Sequence, residues 1–313
     1  MNKVAKNIFL EMSMTQKGYI LVILYQILVS FSPLIIKNLS LKLPSALIVI
    51  GRYFFACISL FVVMLVNKLL LKKLLKLKFN QLKNLLILGV SSSGVGSLFY
   101  VIAITKIGII LTTYISSLEI VVTIVLSTFI LKEKITKEFL FTSAIVLCGF
   151  FLLIYKGGLI LNYKWDYIFG ILCALISALV WGNATILGKK LLDEKISSVI
   201  ITFVRHLSGV IFNIIVLLFT LRIQIIESIF SLTNFDWMQF LFLGIIISGI
   251  GFLLYYKGLK LSNAKGTALL LTISSVITTV LGITLGKEIL YMNQFLGAFL
   301  VLFGVHLLMK ISN

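Results

Sequence analysis

Apolar runs of about twenty residues, separated by short polar connections, recur along the whole chain, and no water-soluble core could bury that many. A bilayer core about 30 Å thick needs roughly 20 apolar residues per helix. Ten such runs are legible, near residues 19–37, 46–67, 84–105, 109–131, 139–155, 167–188, 197–220, 238–257, 265–286 and 291–309. With 60% hydrophobic residues and only 12% charged, the chain lacks the polar groups to cover a soluble particle of 313 residues. The membrane is its solvent, and a soluble enzyme is excluded. Most connections are too short for an extramembrane domain and imply antiparallel neighbours. Lys3, Lys6 and Lys17 precede the first run as in a signal peptide, but the run is long and ends in Ser32-Pro33-Leu34 without a small-residue cleavage site. It is expected to be an uncleaved span. Cys57, Cys148 and Cys173 lie within apolar runs at no metal-ligand spacing and are expected to be small apolar fillers.

Charge gives the sidedness. The chain holds 28 Lys and Arg against 10 Asp and Glu. Nineteen of the 28 fall on the termini and alternate connections that share one side, seven on the other side, with Arg52 and Arg205 inside spans. Cationic residues collect in cytoplasmic loops, so both termini are expected in the cytoplasm of a multi-pass plasma-membrane protein, with residues 1–16 a cytoplasmic segment. The net charge of +18 is thus read as topology and not as a nucleic-acid footprint. Its densest part, Asn67 to Lys83, is expected to be a headgroup-facing loop, with a lipid-binding amphipathic helix as the alternative.

The chain also repeats itself. At an offset of 155, Leu88-Gly89 meets Leu243-Gly244, Ser93-Gly94 meets Ser248-Gly249, Gly96 meets Gly251, Tyr100 meets Tyr255, and Lys132-Glu133 meets Lys287-Glu288. At an offset of 153, Lys37 meets Lys190 and Arg52 meets Arg205. Ordered matches of Gly, Tyr, Arg and Lys-Glu are not cheap in a chain biased toward Leu and Ile. Five spans per copy is odd, so the second copy enters the membrane in the opposite sense. The expected fold is all-α integral membrane, ten transmembrane helices as two inverted five-helix repeats over 17–156 and 165–310. Such halves suit a central site exposed to each side in turn.

These residues resemble the drug/metabolite transporter superfamily, in its ten-span group made of two EamA-type repeats. Trp181-Gly182-Asn183 followed by Lys190 and Arg205 is similar to the family's W-G-x…K…R pattern, and Leu118-Glu119-Ile120 with Lys132-Glu133 to its L-E-P…G-E stretch. Ile120 and Ser275 stand where the family has proline, which removes the usual cause of a helix break there. The resemblance implies a cavity enclosed by spans one to four and six to nine, with five and ten at the edge.

Candidate site residues follow. Glu119 lies thirteen residues from both Lys106 and Lys132, hence about 20 Å from each and near the bilayer centre. A carboxylate there must face a wet cavity, pair, or hold a proton, so it is the candidate for coupling or cation contact. The bland alternative is a protonated interhelical hydrogen bond. Tyr25, Gln26, Tyr100, Tyr114, Trp181, Asn183 and Tyr255 are candidates for the wall of a small-molecule pocket, with interfacial aromatics as the alternative. Arg52 and Arg205, about two turns inside their spans from opposite faces, are expected to pair with carbonyls or lipid phosphates, with anion contact as the alternative. His206, on a different face from Arg205, is a minor candidate for coupling. The clustered glycines of spans three and eight are expected to allow close helix packing. Leu221 to Trp237 reads as a helix on the outer surface.

The function expected is secondary transport of a small organic solute, an amino acid or similar amphipathic molecule, by alternating access. Proton coupling or exchange is the expected drive, and the family analogy favours efflux. A phosphate-binding G-x-x-x-x-G-K-[ST] is missing, so no ATP motor is expected. A polytopic enzyme acting on lipid-linked substrates needs an interfacial base or nucleophile, and with two histidines and no H-E-x-x-H that reading is weaker. A channel would need charge rings or a carbonyl filter. No metal, cofactor or nucleic acid is expected. Membrane lipids and the solute are the expected partners, and nothing in the sequence calls for an oligomer.

Overall fold

The computed structural model describes residues 13–131, 137–155, 164–220, 228–262, 267 and 270–312. Among them there is helix and no strand. Six helical runs are long and apolar enough to cross a bilayer: Met14–Leu39, Ser45–Val66, Phe79–Ile107, Trp165–Asp193, Ser198–Thr220 and Asn234–Leu261. Three shorter apolar helices, Ile109–Thr123, Ile273–Thr284 and Met292–Gly304, accompany them. At 29 residues, Phe79–Ile107 rises about 44 Å, beyond the hydrocarbon thickness.

In chain order the helices are α1 (Met14–Val29), α2 (Ser32–Leu39), α3 (Ser45–Val66), α4 (Lys68–Leu75), α5 (Phe79–Leu88), α6 (Ser97–Ile107), α7 (Ile109–Ser116) and α8 (Glu119–Leu131). There follow α9 (Lys137–Ile154), α10 (Trp165–Asp193), α11 (Ser198–Thr220), α12 (Asn234–Leu241), α13 (Phe252–Leu261), α14 (Thr272–Thr284) and α15 (Met292–Ser312). Local chemistry sets several starts. Ser13 and Gln16 form a capping box at α1, Pro33 opens α2, and Thr233 with Asp236 forms a second box at α12. Asp236 also pairs with Lys42 at 2.7 Å, joining α12 to the segment before α3.

One sequence expectation needs correction, and another falls only partly on the described residues. The Lys-rich stretch after Asn67 contains the amphipathic helix α4, none of whose residues is buried, where a loop was expected. Spaced leucines and lysines give it one apolar and one cationic face. Of the expected surface helix Leu221 to Trp237, residues 221–227 lie outside the described residues, while 234–237 form the first turn of α12.

The bundle buries charged and polar groups among an apolar core and turns large apolar side chains outward. Phe219 is 88% exposed and Phe54 51%, whereas Arg52 is 7% exposed, Arg205 5% and His206 0%. That distribution is stable only where the solvent is hydrocarbon.

Two stretches wind more loosely than an α-helix. Gly89–Gly96, between α5 and α6, and Phe242–Gly251, between α12 and α13, are π-helical. Their glycine-rich cores coincide under the 155-residue offset. The packing partners exchange in the same way: α11 lies against the first π-helical stretch and α3 against the second, α10 against α6, and α1 against α13. α9 and α15 pack principally on each other.

Missing side chains set these approaches. A Cβ on Gly89 would stand 2.7 Å from the Arg205 carbonyl oxygen and 2.6 Å from the Ser208 Cβ. At Gly244 it would stand 2.8 Å from the Arg52 carbonyl oxygen and 2.5 Å from the Phe55 Cβ. Backbone contact at these points brings both arginine-bearing helices against the loosened turns. Gly89→Ala and Gly244→Ala should each destabilise the bundle by about 1–3 kcal/mol through overpacking. Thermal unfolding of the detergent-purified variants measures this, and an unchanged midpoint would contradict so close an approach.

Candidate functional site: a polar cavity among the apolar helices

The helices enclose a cavity of about 120 Å³ whose wall includes Arg52 of α3, Arg205 of α11 and Glu119 at the start of α8. Each charged group is there for a local reason. Arg52 and Arg205 occupy equivalent positions on helices pressed against the π-helical stretches. Glu119 stands where one span breaks: α7 ends at Ser116 and α8 begins at Glu119. At the break Leu118 N–H donates to the Ile115 carbonyl (3.1 Å) and Ile120 N–H to the Ser117 carbonyl (3.1 Å), both three residues back. The Ser117 hydroxyl donates to the Tyr114 carbonyl at 2.6 Å. Tightened turns and serine back-bonding thus interrupt the helix without a proline.

The arginines are held by hydroxyls from distant helices. Arg52 Nε donates to Ser248 Oγ (2.6 Å) and its Nη1 to Ser32 Oγ (3.2 Å). Arg205 Nε donates to Ser93 Oγ (3.2 Å) and its Nη1 to Tyr256 Oη (2.8 Å). Ser93 and Ser248 are repeat equivalents, so the same bond is made twice, each time between arginine and serine of opposite sequence halves. Arg205 also lies over the Phe252 ring, 4.5 Å from its centre. The expectation of carbonyl or lipid-phosphate partners is therefore corrected for both residues: their partners are buried hydroxyls.

His206 faces away from the cavity. Its ring stacks on Tyr53 at 4.3 Å, Nδ1 lies 3.1 Å from Ser93 Oγ, and Nε2 lies 3.0 Å from the Ser248 carbonyl oxygen. One consistent chain has Arg205 Nε–H donating to Ser93 Oγ, Ser93 O–H to Nδ1 and Nε2–H to Ser248, with a neutral imidazole. The loosened turns expose carbonyls that side chains then satisfy: Ser248 by His206, and Ser92 by Trp181 Nε1 at 3.0 Å.

Of the residues expected in the pocket wall, Tyr25, Gln26, Tyr100, Trp181, Glu119, Arg205 and Tyr255 line the cavity. Tyr25 packs on Phe252 at 5.2 Å and on Tyr255 at 5.3 Å, and Tyr100 on Trp181 at 5.0 Å. Tyr255 and its neighbour Tyr256 are buried, so an interfacial belt is ruled out for them. Three expected residues lie elsewhere. Asn183 is exposed on the outer face of α10. Tyr114 is buried behind the wall, where its hydroxyl accepts from Thr279 Oγ1 at 3.1 Å. His206 sits in the network just described. Arg52, weighed in the sequence mainly as a structural pair, lines the cavity as well, and sequence reasoning left out Ser32, Thr113, Ser116 and Phe252, which also line it.

Glu288 fixes the start of α7. It accepts from Lys37 Nζ at 2.6 Å and from the amides of Ile109 (2.7 Å) and Ile110 (2.9 Å). Gly108, at φ +83, permits this, since a Cβ there would stand 2.7 Å from Glu288 Oε1. An acidic group on a helix N-terminus with a lysine as third donor makes a strong tie between α2, α7 and the segment before α15. Lys132 and Glu133, the repeat partners of Lys287 and Glu288, lie outside the described residues.

A helical bundle with an apolar exterior and a cavity lined by charged groups defines a multi-pass membrane protein with an internal cavity. The chain belongs to the EamA-like transporter family, whose pattern matches residues 16–155 and again 168–310. It is 26% identical over 292 residues to an uncharacterized transporter of Clostridium kluyveri, covering 92% of each chain. A solved crystal structure shares the fold with a TM-score of 0.67 at 15% identity, over 96% of this chain and 97% of the other. The protein is thus a membrane transporter of the drug/metabolite superfamily.

Ser93→Ala should leave Arg205 Nε and His206 Nδ1 without their shared partner and lower stability by about 1–3 kcal/mol. Chemical or thermal unfolding in detergent reads the loss, and wild-type stability would show that the bridge contributes nothing.

Proposed function

We propose that the protein is a secondary carrier that moves a small organic solute across the plasma membrane by alternating access to the cavity of Arg52, Arg205 and Glu119. In this reading the chain crosses the membrane ten times as two inverted five-helix halves, 17–156 and 165–310, with both termini cytoplasmic. The observation that carries it is the reciprocal bonding of Arg52 to Ser248 and Arg205 to Ser93, which ties the two sequence halves together around one central cavity. Two equivalent halves meeting at a buried site can rock about it, exposing it first to one side and then to the other. The Lys37–Glu288 tie to α7 supports the scheme as a closure at one end of the bundle.

Glu119 is the coupling residue in this scheme. It lines the cavity and enters no ion pair among the described residues. A carboxyl group in such a place can take up and release a proton as the cavity changes sides. An amino acid or similar amphipathic solute suits a wall of charged groups and aromatic rings, and the family resemblance favours export.

Two experiments test this. In proteoliposomes, counterflow of labelled amino acids and amines should be saturable. Glu119→Gln should keep exchange while gradient-driven uptake drops about ten-fold or more; unchanged gradient-driven uptake would leave Glu119 a structural residue. For topology, a cysteine replacing Lys72 of α4 should react with a membrane-impermeant maleimide only from the cytoplasmic side of oriented vesicles. Labelling from outside intact cells would reverse the orientation.

A further inference from the structure

We propose that the cavity binds its solute through a carboxylate, held by Arg52 and Arg205 with Gln26 and Ser116 as further donors. The proposal rests on the carrier reading above and names the class of solute.

The charge count comes first. Two guanidinium groups and one carboxyl group line the cavity. If Glu119 is ionised, one positive charge is left over; if it is protonated, two are. Either way the cavity is cationic, and among the described residues neither arginine has an ion-pair partner. Their partners are neutral hydroxyls, which satisfy N–H groups without neutralising charge. A buried charge without a counter-charge is costly, and a bound anion removes that cost. An amine alone would add a third positive charge.

The orphaned polar atoms come second and are independent of the charge. Gln26 is 1% exposed and Ser116 4%, both line the cavity, and among the described residues neither Gln26 Nε2 nor Ser116 Oγ has a hydrogen-bond partner. Buried polar groups are seldom left unpaired. Gln26 Nε2 can only donate and Ser116 Oγ is able to, as the guanidinium groups do, so one acceptor in the cavity satisfies them together. The planar fork of an arginine matches the two oxygens of a carboxylate.

The rest of the wall describes the body of the solute. Tyr25, Trp181 and Phe252 contribute aromatic rings to the wall. The volume of about 120 Å³ is of the order of the roughly 150 Å³ void that takes up a benzene ring. A small carboxylate with an apolar tail fits that description. An α-amino acid fits too, with its ammonium directed to Glu119.

Equilibrium binding to the purified full-length protein in detergent tests this without requiring transport. Two matched sets serve as probes: phenylalanine, 3-phenylpropionate and phenethylamine, and leucine, 4-methylvalerate and isoamylamine, with inorganic phosphate as a further arm. In at least one set a carboxylate-bearing member should bind ten-fold or more tightly than the amine. Arg52→Lys and Arg205→Lys should each weaken that binding ten-fold or more, because lysine keeps the charge and loses the fork. The proposal falls if the amines bind as tightly as their carboxylate partners, if no carboxylate binds, if phosphate binds in their place, or if both lysine variants keep wild-type affinity. The comparison among wild-type ligands stands even where a variant fails to fold. Carboxylates that bind without counterflow would sink the carrier reading and leave this one standing. Counterflow of amines, with no carboxylate bound, would do the reverse.

Discussion

Two guanidinium groups buried inside an apolar bundle are the constraint around which the rest of the structure is arranged. Withdrawing each from water costs several kcal/mol even after local relaxation, so neither is tolerable without dedicated partners. The chain supplies them by symmetry: Arg52 reaches Ser248, and Arg205 reaches the equivalent Ser93. Those bonds require the arginine helices to lie against the glycine-rich stretches that carry the serines. Gly89 and Gly244 permit that approach, since each sits on the backbone carbonyl of the opposing arginine.

The same stretches show how a membrane helix can spend backbone groups on side chains. In a regular helix every carbonyl is taken, and lipid offers no alternative partner. The π-helical turns loosen that pattern where Trp181 and His206 stand ready to donate. His206 illustrates the outcome. Both of its nitrogens are engaged, its ring is stacked on Tyr53, and it cross-braces the two loosened segments from behind the cavity wall.

The broken span is a second device of the same kind. Ending α7 at Ser116 and starting α8 at Glu119 places a carboxyl group at the cavity wall beside Ser116 and Ser117. At the far end of α7, Glu288 gathers two amides and Lys37. The short helix is thus held by a carboxylate at its start and by tightened serine turns at its end.

Much of this was written in the sequence. Hydrophobic run length dictated a membrane bundle because the bilayer thickness fixes how many apolar residues a helix needs. The ordered Gly, Ser, Tyr and Arg matches exposed the repeat, and Glu119 stood out because a carboxylate far from any interface demands a polar surrounding. Tyr25, Gln26, Tyr100, Trp181 and Tyr255 were found for a similar reason: polar tips in apolar runs seek one another inside. What the sequence could not decide was direction around each helix axis and the course of the backbone. Asn183 and Trp181 are two residues apart, yet one faces outward and the other the cavity. Arg52 and Arg205, each seven residues from the start of its own helix, converge on one cavity. The helix break came without its proline, and the Gly-rich segments took a wider turn than residue spacing reveals. Periodicity fixes a residue's depth along its own helix. Only the packing of one helix against another decides which neighbour completes its hydrogen bonds, and here the serine that meets each arginine Nε lies in the opposite half of the chain.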